Sequence, residues 1–348
     1  MGARKTIALS AWGLLLFLIC FGLGYPTLNR YNPSSIPGLS DSVQYYGLVE
    51  YGPAAATGHW KYRVLVPYLA KPIYWAARGR LGTWNPVSFA LLAVNSLFCG
   101  CAAWFVSALA YRLSGGVPTS IVAAFAYLLN FAVPNYHLSA LVDSADAFLF
   151  VLLSFALLSG KWALLPVIGF VAGFSKETFI PIGFVFAATW VLSERSADRM
   201  KRTLAVVVMA VLGMIVVLFV RSVIDHALVL PWDIVSEERS PSGWSAHNLL
   251  SAETGWNFWL TIVWLPFVFL AAKRVPKPWR RAALAGTIAT IALSAWNNAP
   301  RGNTARPVFD VLGPLFAVSF ALTAELAQRS AVWSSALDGP KGKPRLDG

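Results

Sequence analysis

The chain has 348 residues, of which 57% are hydrophobic and only 13% are charged. A soluble domain carries about 25% charged residues, so this composition excludes an ordinary soluble enzyme and indicates a polytopic membrane protein. The formal net charge of +12 follows the pattern of the predicted loops, described below, and gives no reason to expect a nucleic-acid partner.

Apolar runs of about 20 residues recur along the chain, and this length crosses about 30 Å of hydrocarbon as a helix. The short pair 162–174 and 177–192 forms either one bent element or a tight hairpin around Ser175, Lys176 and Glu177. The runs predict an all-α transmembrane bundle of about ten spans, at 7–25, 86–110, 117–133, 139–159, 162–174, 177–192, 203–223, 256–272, 282–297 and 307–326.

The distribution of Lys and Arg predicts the topology. When the N-terminus is placed inside, the excess of basic residues falls in the inner segments, as the positive-inside rule requires. We therefore expect a multi-pass protein of the inner (plasma) membrane with both termini cytoplasmic. Its transmembrane domain covers 1–326, with extracytoplasmic loops at 26–85 and 224–255, and a disordered cytoplasmic tail follows at 327–348. The isolated polar residues lie mostly on the outer side, where we expect any chemistry.

The first outer loop contains the segment SDSVQYYGLVEYG, in which a helix is predicted to begin after Asp41. The carboxylate of Asp41 is either the N-cap of that helix or a functional group, namely a base for an acceptor hydroxyl or a ligand for a cation or sugar. Tyr45 lies on the same face, where it either stacks on a sugar or belongs to an interfacial aromatic belt. His59 follows in the same loop, but the histidines are too scattered to predict a metal site.

The next stretch, KYRVLVPYLAKPIYWAARGRL, predicts an amphipathic helix in the membrane interface, broken near Pro67 and Pro72. Its basic residues, Arg63 among them, lie on the outer side, against the positive-inside trend. A phosphate-bearing lipid is one physical reason for this placement. Contact with ordinary anionic headgroups is the alternative.

Two further segments place charges near hydrocarbon. Asp143 and Asp146 in VDSADAF share one helical face and should face the bundle interior or a water-filled cavity, where they bind a cation, bind sugar hydroxyls or pair with a structural Arg. Lys176 and Glu177 in GFSKETFIP are adjacent, so their side chains point about 100° apart and should serve different partners. Lys176 is a candidate for binding phosphate, and Glu177 for pairing with Arg63 or Arg301.

The segment before the last predicted span, WNNAPRGNTARPVFDVLGPL, contains Arg301 and Arg306 on either side of a Gly-Asn turn. Two guanidinium groups so placed can clamp a monophosphate or diphosphate. A basic turn in the headgroup region is the alternative interpretation.

Together, SDSVQYY, YRVLVPYLA, VDSADAF, GFSKETFIP and the Arg-bearing loop resemble the GT-C superfamily of membrane glycosyltransferases, and YRVLVPYLA resembles a YRxLxP pattern of poorly characterised bacterial members. The resemblance covers residues 5–326 in layout, although each motif is short. It implies a GT-C-like domain that transfers a sugar from a polyprenyl-phosphate donor to an envelope glycan, lipid or protein acceptor.

The resemblance also implies roles for residues. Asp41 would be the catalytic or acceptor-activating acid, Lys176, Arg301 and Arg306 would bind the donor phosphate, and Asp143 and Asp146 would bind the acceptor or a cation. The residue patterns described above add Arg63 to the donor-phosphate residues, and Glu177, Tyr45 and His59 to the acceptor or cation residues. Many members have paired acids in the first loop, where this chain has Asp41 alone. The need for a divalent cation is therefore left open. A transporter or flippase for a lipid-linked or anionic substrate is one alternative, and a non-catalytic subunit of envelope polysaccharide assembly is another.

Overall fold

The computed structural model describes residues 3–30, 41–238, 258–297 and 305–337. Within these ranges every regular element is helical and none is a strand. Short 3₁₀ segments cover Pro53–Ala55 and Gly58–Tyr62, and a π-helical turn covers Val133–His137. The α-helices are α1 (Ala3–Gly24), α2 (Pro26–Arg30), α3 (Ser42–Glu50), α4 (Leu65–Ala77), α5 (Pro86–Ser114), α6 (Val117–Leu128), α7 (Asp143–Leu158), α8 (Leu164–Ser175), α9 (Phe179–Ser193), α10 (Arg199–Asp225), α11 (Pro231–Glu238), α12 (Leu265–Leu270), α13 (Lys277–Asn297) and α14 (Ala305–Leu337).

The described helices are those of a membrane protein. Among the described residues, four segments are long and apolar enough to cross a bilayer, namely Thr6–Gly24, Pro86–Ser114, Arg199–Asp225 and Val308–Ser330. Helices also lie at the other predicted spans, but several of them, such as α8 and α9, are shorter. The prediction of a helical transmembrane bundle is therefore supported, whereas the count of ten spans is not confirmed.

Local sequence signals set the ends of the longest of these spans, α5. The side chain of Asn85 accepts hydrogen bonds from the backbone N–H groups of Val87 at 2.9 Å and Ser88 at 3.0 Å, which caps the helix start. At the other end Gly115 adopts φ 72°, the left-handed conformation that terminates many helices. Pro118 in the first turn of α6 then starts the next helix.

The helices α8 and α9 form an antiparallel hairpin, which decides between the two alternatives that the sequence offered. Trp162, just before α8, lies under the guanidinium group of Arg202 at 4.8 Å. Glu194, just after α9, binds the same Arg202 at 2.5 Å, so the start of α8 and the end of α9 lie together. The residues between the helices, 176–178, form the hairpin tip. With 12 residues, α8 is about 18 Å long, too short to cross a bilayer alone.

Contacts between helix ends show the direction of the other helices. Lys176 at the hairpin tip contacts Asp143 at the start of α7, and His137 contacts Asp310 near the start of α14. At the same end of the bundle, the last residue of α10, Asp225, contacts the first loop. We call this end, where α7, α9 and α14 begin and α8 and α10 end, the polar end.

A close crossing of α8 and α10 fixes the hairpin laterally. A Cβ atom added to Gly169 would overlap the carbonyl oxygen of Met209, and one added to Gly173 would lie 2.5 Å from Cβ of Val216. A Cβ on Gly213 would lie 3.0 Å from the carbonyl oxygen of Gly169. Small residues at such spacing let membrane helices approach closely. The backbones of α8 and α10 therefore hold the tip at a defined position beside the end of α10.

Two sequence predictions are corrected by the helix bounds. The amphipathic helix exists as α4, but it is not broken at Pro67 or Pro72. Pro67 lies in the first turn, where a backbone N–H has no intrahelical partner to lose, and the helix continues through Pro72. The disordered tail predicted at 327–348 begins too early, because α14 continues to Leu337. Residues 338–348 and most of the loop 224–255, from 239 onwards, lie outside the described ranges.

Candidate functional site

A buried ion pair joins the first loop to the hairpin tip. Arg63 is 8% exposed, and its Nη2 lies 2.6 Å from Oε1 of Glu177, while its Nε donates to Oε2 at 3.4 Å. The two contacts engage both carboxylate oxygens, a geometry that fixes the guanidinium orientation. Arg63 and Arg301 were the two partners predicted for Glu177, and in the structure Glu177 binds Arg63.

A second buried ion pair joins the hairpin tip to α7. The Lys176 ammonium group lies 2.7 Å from Oδ1 of Asp143, and the two side chains are 9% and 4% exposed. Lys176 and Glu177 bind different elements, as predicted. The helical geometry assumed for them is wrong, because both residues lie between α8 and α9. The tip is therefore attached on one side to the first loop and on the other to the start of α7.

Asp146 lies in the first turn of α7, beside these two pairs. It is 3% exposed, and its Oδ1 has no hydrogen-bond partner among the described residues. The charges of Lys176, Asp310, Asp143 and Arg63 all act on its carboxylate. The prediction that both acids face the bundle interior is confirmed, and Asp146 is the one with an unoccupied oxygen.

A histidine–aspartate pair, which sequence analysis did not assign to the site, completes the charged cluster. Nε2 of His137 lies 2.8 Å from Oδ1 of Asp310, and both side chains are 1% exposed. Within the described part of the chain, Nδ1 of His137 and Oδ2 of Asp310 have no further partner. Asp310 could have been found from sequence, since an isolated acid inside an apolar helix is costly and usually functional.

Polar groups of α5 hold the start of α7 in place. The side-chain amide of Asn95 donates to the carbonyl oxygen of Leu141 at 2.9 Å, and its oxygen accepts a hydrogen bond from Ser144 at 2.6 Å. Asn95 and Ser144 are fully buried. Because both bonds flank Asp143, they fix the depth of that carboxylate relative to α5.

Asp41 occupies the position that the sequence predicted, whereas the environment of Tyr45 differs from the prediction. Asp41 occupies the N-cap position of α3, as predicted, but its side chain makes no capping hydrogen bond. The ring of Tyr45 is 1% exposed, so it is open neither to a sugar nor to the membrane interface, and both interpretations of Tyr45 are wrong. Its hydroxyl oxygen instead accepts a 3.4 Å hydrogen bond from Nη1 of Arg63. The charges of Asp41 and Asp143 both act on this phenol, which brings Asp41 to the same cluster.

His59 lies at the rim of the cluster, with its ring 4.5 Å from that of Trp60. Burial, and after it the positive charge of Arg63, lowers the pKa of His59 to about 4 against the opposite effects of Glu177 and Asp41. The imidazole is therefore neutral at physiological pH, so it can accept a hydrogen bond at one nitrogen and donate one at the other.

This low pKa predicts a specific pH dependence of stability. Above pH 6.5, the ordinary pKa of histidine, His59 is neutral in the folded and unfolded chain and has no effect. As the pH falls from about 6.5 towards 4, the unfolded chain binds a proton that the folded chain does not, so the free energy of unfolding decreases. We expect His59→Gln to reduce the fall in Tm over this range. The exposed His226 gives the control, because His226→Asn should retain the wild-type slope; equal slopes for all three proteins would contradict the assignment.

The remaining predicted site residues lie outside what the structure describes. Arg301 falls in the undescribed segment 298–304, and Arg306 lies in the first turn of α14 but its side chain is not described. Within the described ranges, no group of three or more His, Cys, Asp or Glu side chains is arranged to hold a metal ion. The candidate site therefore consists of Asp41, Tyr45, His59, Arg63, His137, Asp143, Asp146, Lys176, Glu177 and Asp310.

Fold and site together define a helical membrane protein with a cluster of buried charges at one end of its bundle. Comparison with protein-family models and with curated proteins finds no match to this chain.

Proposed function

We propose that this protein is a membrane glycosyltransferase that transfers a sugar from a polyprenyl-phosphate-linked donor to an envelope glycan, lipid or protein acceptor. One observation carries the proposal: two cations, Arg63 and Lys176, converge with the acids Asp41, Asp143 and Asp146 although they come from three separate segments. A lipid-phosphate leaving group needs fixed positive charge, and an acceptor hydroxyl needs a carboxylate.

The cations in the cluster are suited to a phosphate even though each already has a carboxylate partner. An ammonium group has three N–H donors and a guanidinium group has five, so Lys176 and Arg63 can bind phosphate oxygens while they keep Asp143 and Glu177. Arg301, which lies outside the described residues, and Arg306, in the first turn of α14, are further phosphate ligands in this proposal. Asp310, in the second turn of α14, contacts His137 in the cluster, which supports a place for the start of α14 beside the site.

The proposed reaction is a direct displacement. The acceptor oxygen attacks the anomeric carbon of the donor sugar and forms the new glycosidic bond. The bond from that carbon to the phosphate oxygen breaks, and the polyprenyl phosphate leaves with the electron pair. Asp41 takes the proton of the acceptor hydroxyl, and Asp143 and Asp146 hold acceptor hydroxyls. Direct displacement inverts the configuration of the sugar.

The distribution of charge supports a site on the outer face of the membrane. At the end of the bundle opposite the polar end lie the basic residues Lys161, Arg195, Arg199, Lys201, Arg202, Lys273, Arg274 and Lys277. The positive-inside rule assigns this basic end to the cytoplasm. The polar end then faces outward, where lipid-linked sugars are used to build the envelope, and both termini are cytoplasmic.

Replacement of Asp41 tests the proposal in cells. We expect Asp41→Asn to reduce incorporation of a labelled sugar into the envelope fractions by about 10²–10⁴-fold, the usual contribution of a positioned acid or base. Asp198→Asn is the matched control, since Asp198 is exposed at the other end of the bundle. Wild-type incorporation by Asp41→Asn at equal protein level would remove Asp41 as the catalytic residue.

A further inference from the structure

Three consecutive residues of the first loop, Lys61, Tyr62 and Arg63, link the end of α10 to the hairpin tip, and we call them the strap. Nζ of Lys61 lies 2.5 Å from Oδ1 of Asp225, and the Tyr62 hydroxyl donates to Oδ2 of the same carboxylate at 2.6 Å. Both oxygens of Asp225, the last residue of α10, are thus bound by the strap. The next strap residue, Arg63, binds Glu177 at the hairpin tip.

Packing around Tyr62 strengthens the attachment to α10. The guanidinium carbon of Arg221 lies 4.4 Å from the centre of the Tyr62 ring, a cation–π contact. Arg221 lies one turn before Asp225, so the phenol is held at its hydroxyl and on its face by the same helix. Tyr62 and Val64 also pack against Val216 and Val220 of α10.

The strap links the end of α10 to the position of Arg63. Arg63 directly follows a 3₁₀ segment that ends at Tyr62. The contacts that hold Tyr62 on α10 therefore also fix the backbone position of Arg63. Asp225 itself lies beside the charged cluster, and its two carboxylate oxygens contact Lys61 and Tyr62. Its side chain and that of Lys61 are 26% and 27% exposed, whereas Arg63 and Glu177 are buried.

We propose that Asp225 is a positioning residue: through Lys61 and Tyr62 it holds Arg63 in the donor-phosphate site and so sets the affinity for the lipid phosphate. This inference rests on the proposed function for the role of Arg63. The closing of the strap onto α10 does not depend on that function, so the two claims can fail separately.

The first test measures closure of the strap without any substrate. Val64 follows the strap and is 6% exposed, so a cysteine at this position, in Val64→Cys, should react slowly with a membrane-impermeant maleimide. We expect Asp225→Asn in this background to raise the labelling rate about tenfold, and Asp225→Glu to restore slow labelling. Asp198→Asn, at the other end of the same helix, should leave the rate unchanged. Slow labelling in Asp225→Asn would overturn the strap.

The second test measures binding of polyprenyl monophosphate to the purified protein in detergent. We expect Asp225→Asn to weaken binding about tenfold, the effect of losing hydrogen bonds to a charged group, with rescue by Asp225→Glu. Tyr62→Phe, which keeps the ring under Arg221, should have a smaller effect. Faster labelling with unchanged binding would overturn the positioning role. Faster labelling in a protein whose wild-type form does not bind polyprenyl monophosphate would leave the strap standing and contradict the proposed function.

Discussion

Replacing Glu177 with alanine is expected to lower the free energy of unfolding by about 3–5 kcal/mol, the usual cost of leaving one member of a buried ion pair without its partner. Arg63 and Glu177 are 9% and 11% exposed at the side chain and lie 2.6 Å apart. Without Glu177, the Arg63 charge stays buried, and among the described residues its guanidinium group keeps one hydrogen bond, to the Tyr45 hydroxyl. The measurement is denaturant or thermal unfolding of the purified protein in detergent.

Two further variants separate this effect from a general loss of contacts. Arg202 and Glu194 form a pair at the opposite end of the bundle, with side chains 20% and 39% exposed, and Glu194→Ala should cost about 1 kcal/mol or less. The double variant Arg63→Met/Glu177→Met removes both charges and should recover most of the stability. If Glu177→Ala is as stable as Glu194→Ala, the pair is not buried as described.

The second large effect concerns Lys176, which has both a structural partner and a proposed ligand. Lys176→Met alone would remove the ammonium group that faces the buried Asp143 carboxylate, so loss of function in that variant could reflect unfolding. The informative comparison is Asp143→Asn against Asp143→Asn/Lys176→Met, since the carboxylate is absent from both. We expect Asp143→Asn to bind polyprenyl monophosphate at least as well as the wild type, because the ammonium group no longer faces a competing acid.

In the double variant we expect binding to weaken by about 10- to 100-fold, the value of hydrogen bonds between a charged donor and phosphate. Unfolding measurements on both variants provide the control for stability. Asp143→Asn leaves the Lys176 ammonium group buried without its carboxylate and should be the less stable of the two, so weaker binding by the double variant cannot result from unfolding. Equal binding by the two variants would make Lys176 a structural residue only.

Sequence reasoning identified the site residues whose charge is costly near hydrocarbon. Asp143, Asp146, Lys176 and Glu177 were singled out because ionisable residues in membrane helices must face a partner or a cavity. The structure places all four in one cluster. Different partners for Lys176 and Glu177 were predicted correctly but from helical geometry, and both residues lie between α8 and α9. The helix that begins after Asp41 was also predicted.

Pairings over long sequence separations could not be predicted. His137 and Asp310 are 173 residues apart, and Lys61 and Asp225 are 164 apart. No periodicity or motif links them, since their proximity follows from the order and direction in which the helices pack. The failure at Tyr45 has a related cause. An aromatic residue in an outer loop was expected at the interface, but α3, α4 and the first half of α5 form a small apolar core that buries it.

The close crossing of α8 and α10 was also not predicted, although Gly169 and Gly173 have the spacing of a helix-packing motif. The sequence shows the small residues on one helix but not which helix they meet. The structure supplies the partner, Gly213, and thereby explains why so short a hairpin holds its charged tip at a fixed depth.

The central claim is that the charged cluster transfers a sugar from a lipid phosphate. The most direct measurement uses the purified protein in vesicles that contain a polyprenyl-phosphate-linked labelled sugar and an extract of envelope acceptors. Mass spectrometry of the lipid and analysis of the acceptor fraction follow the label. The account predicts that free polyprenyl phosphate and labelled acceptor appear together with the wild-type protein and not with Asp41→Asn. Movement of intact donor across the bilayer with no free polyprenyl phosphate would contradict it and indicate a transporter.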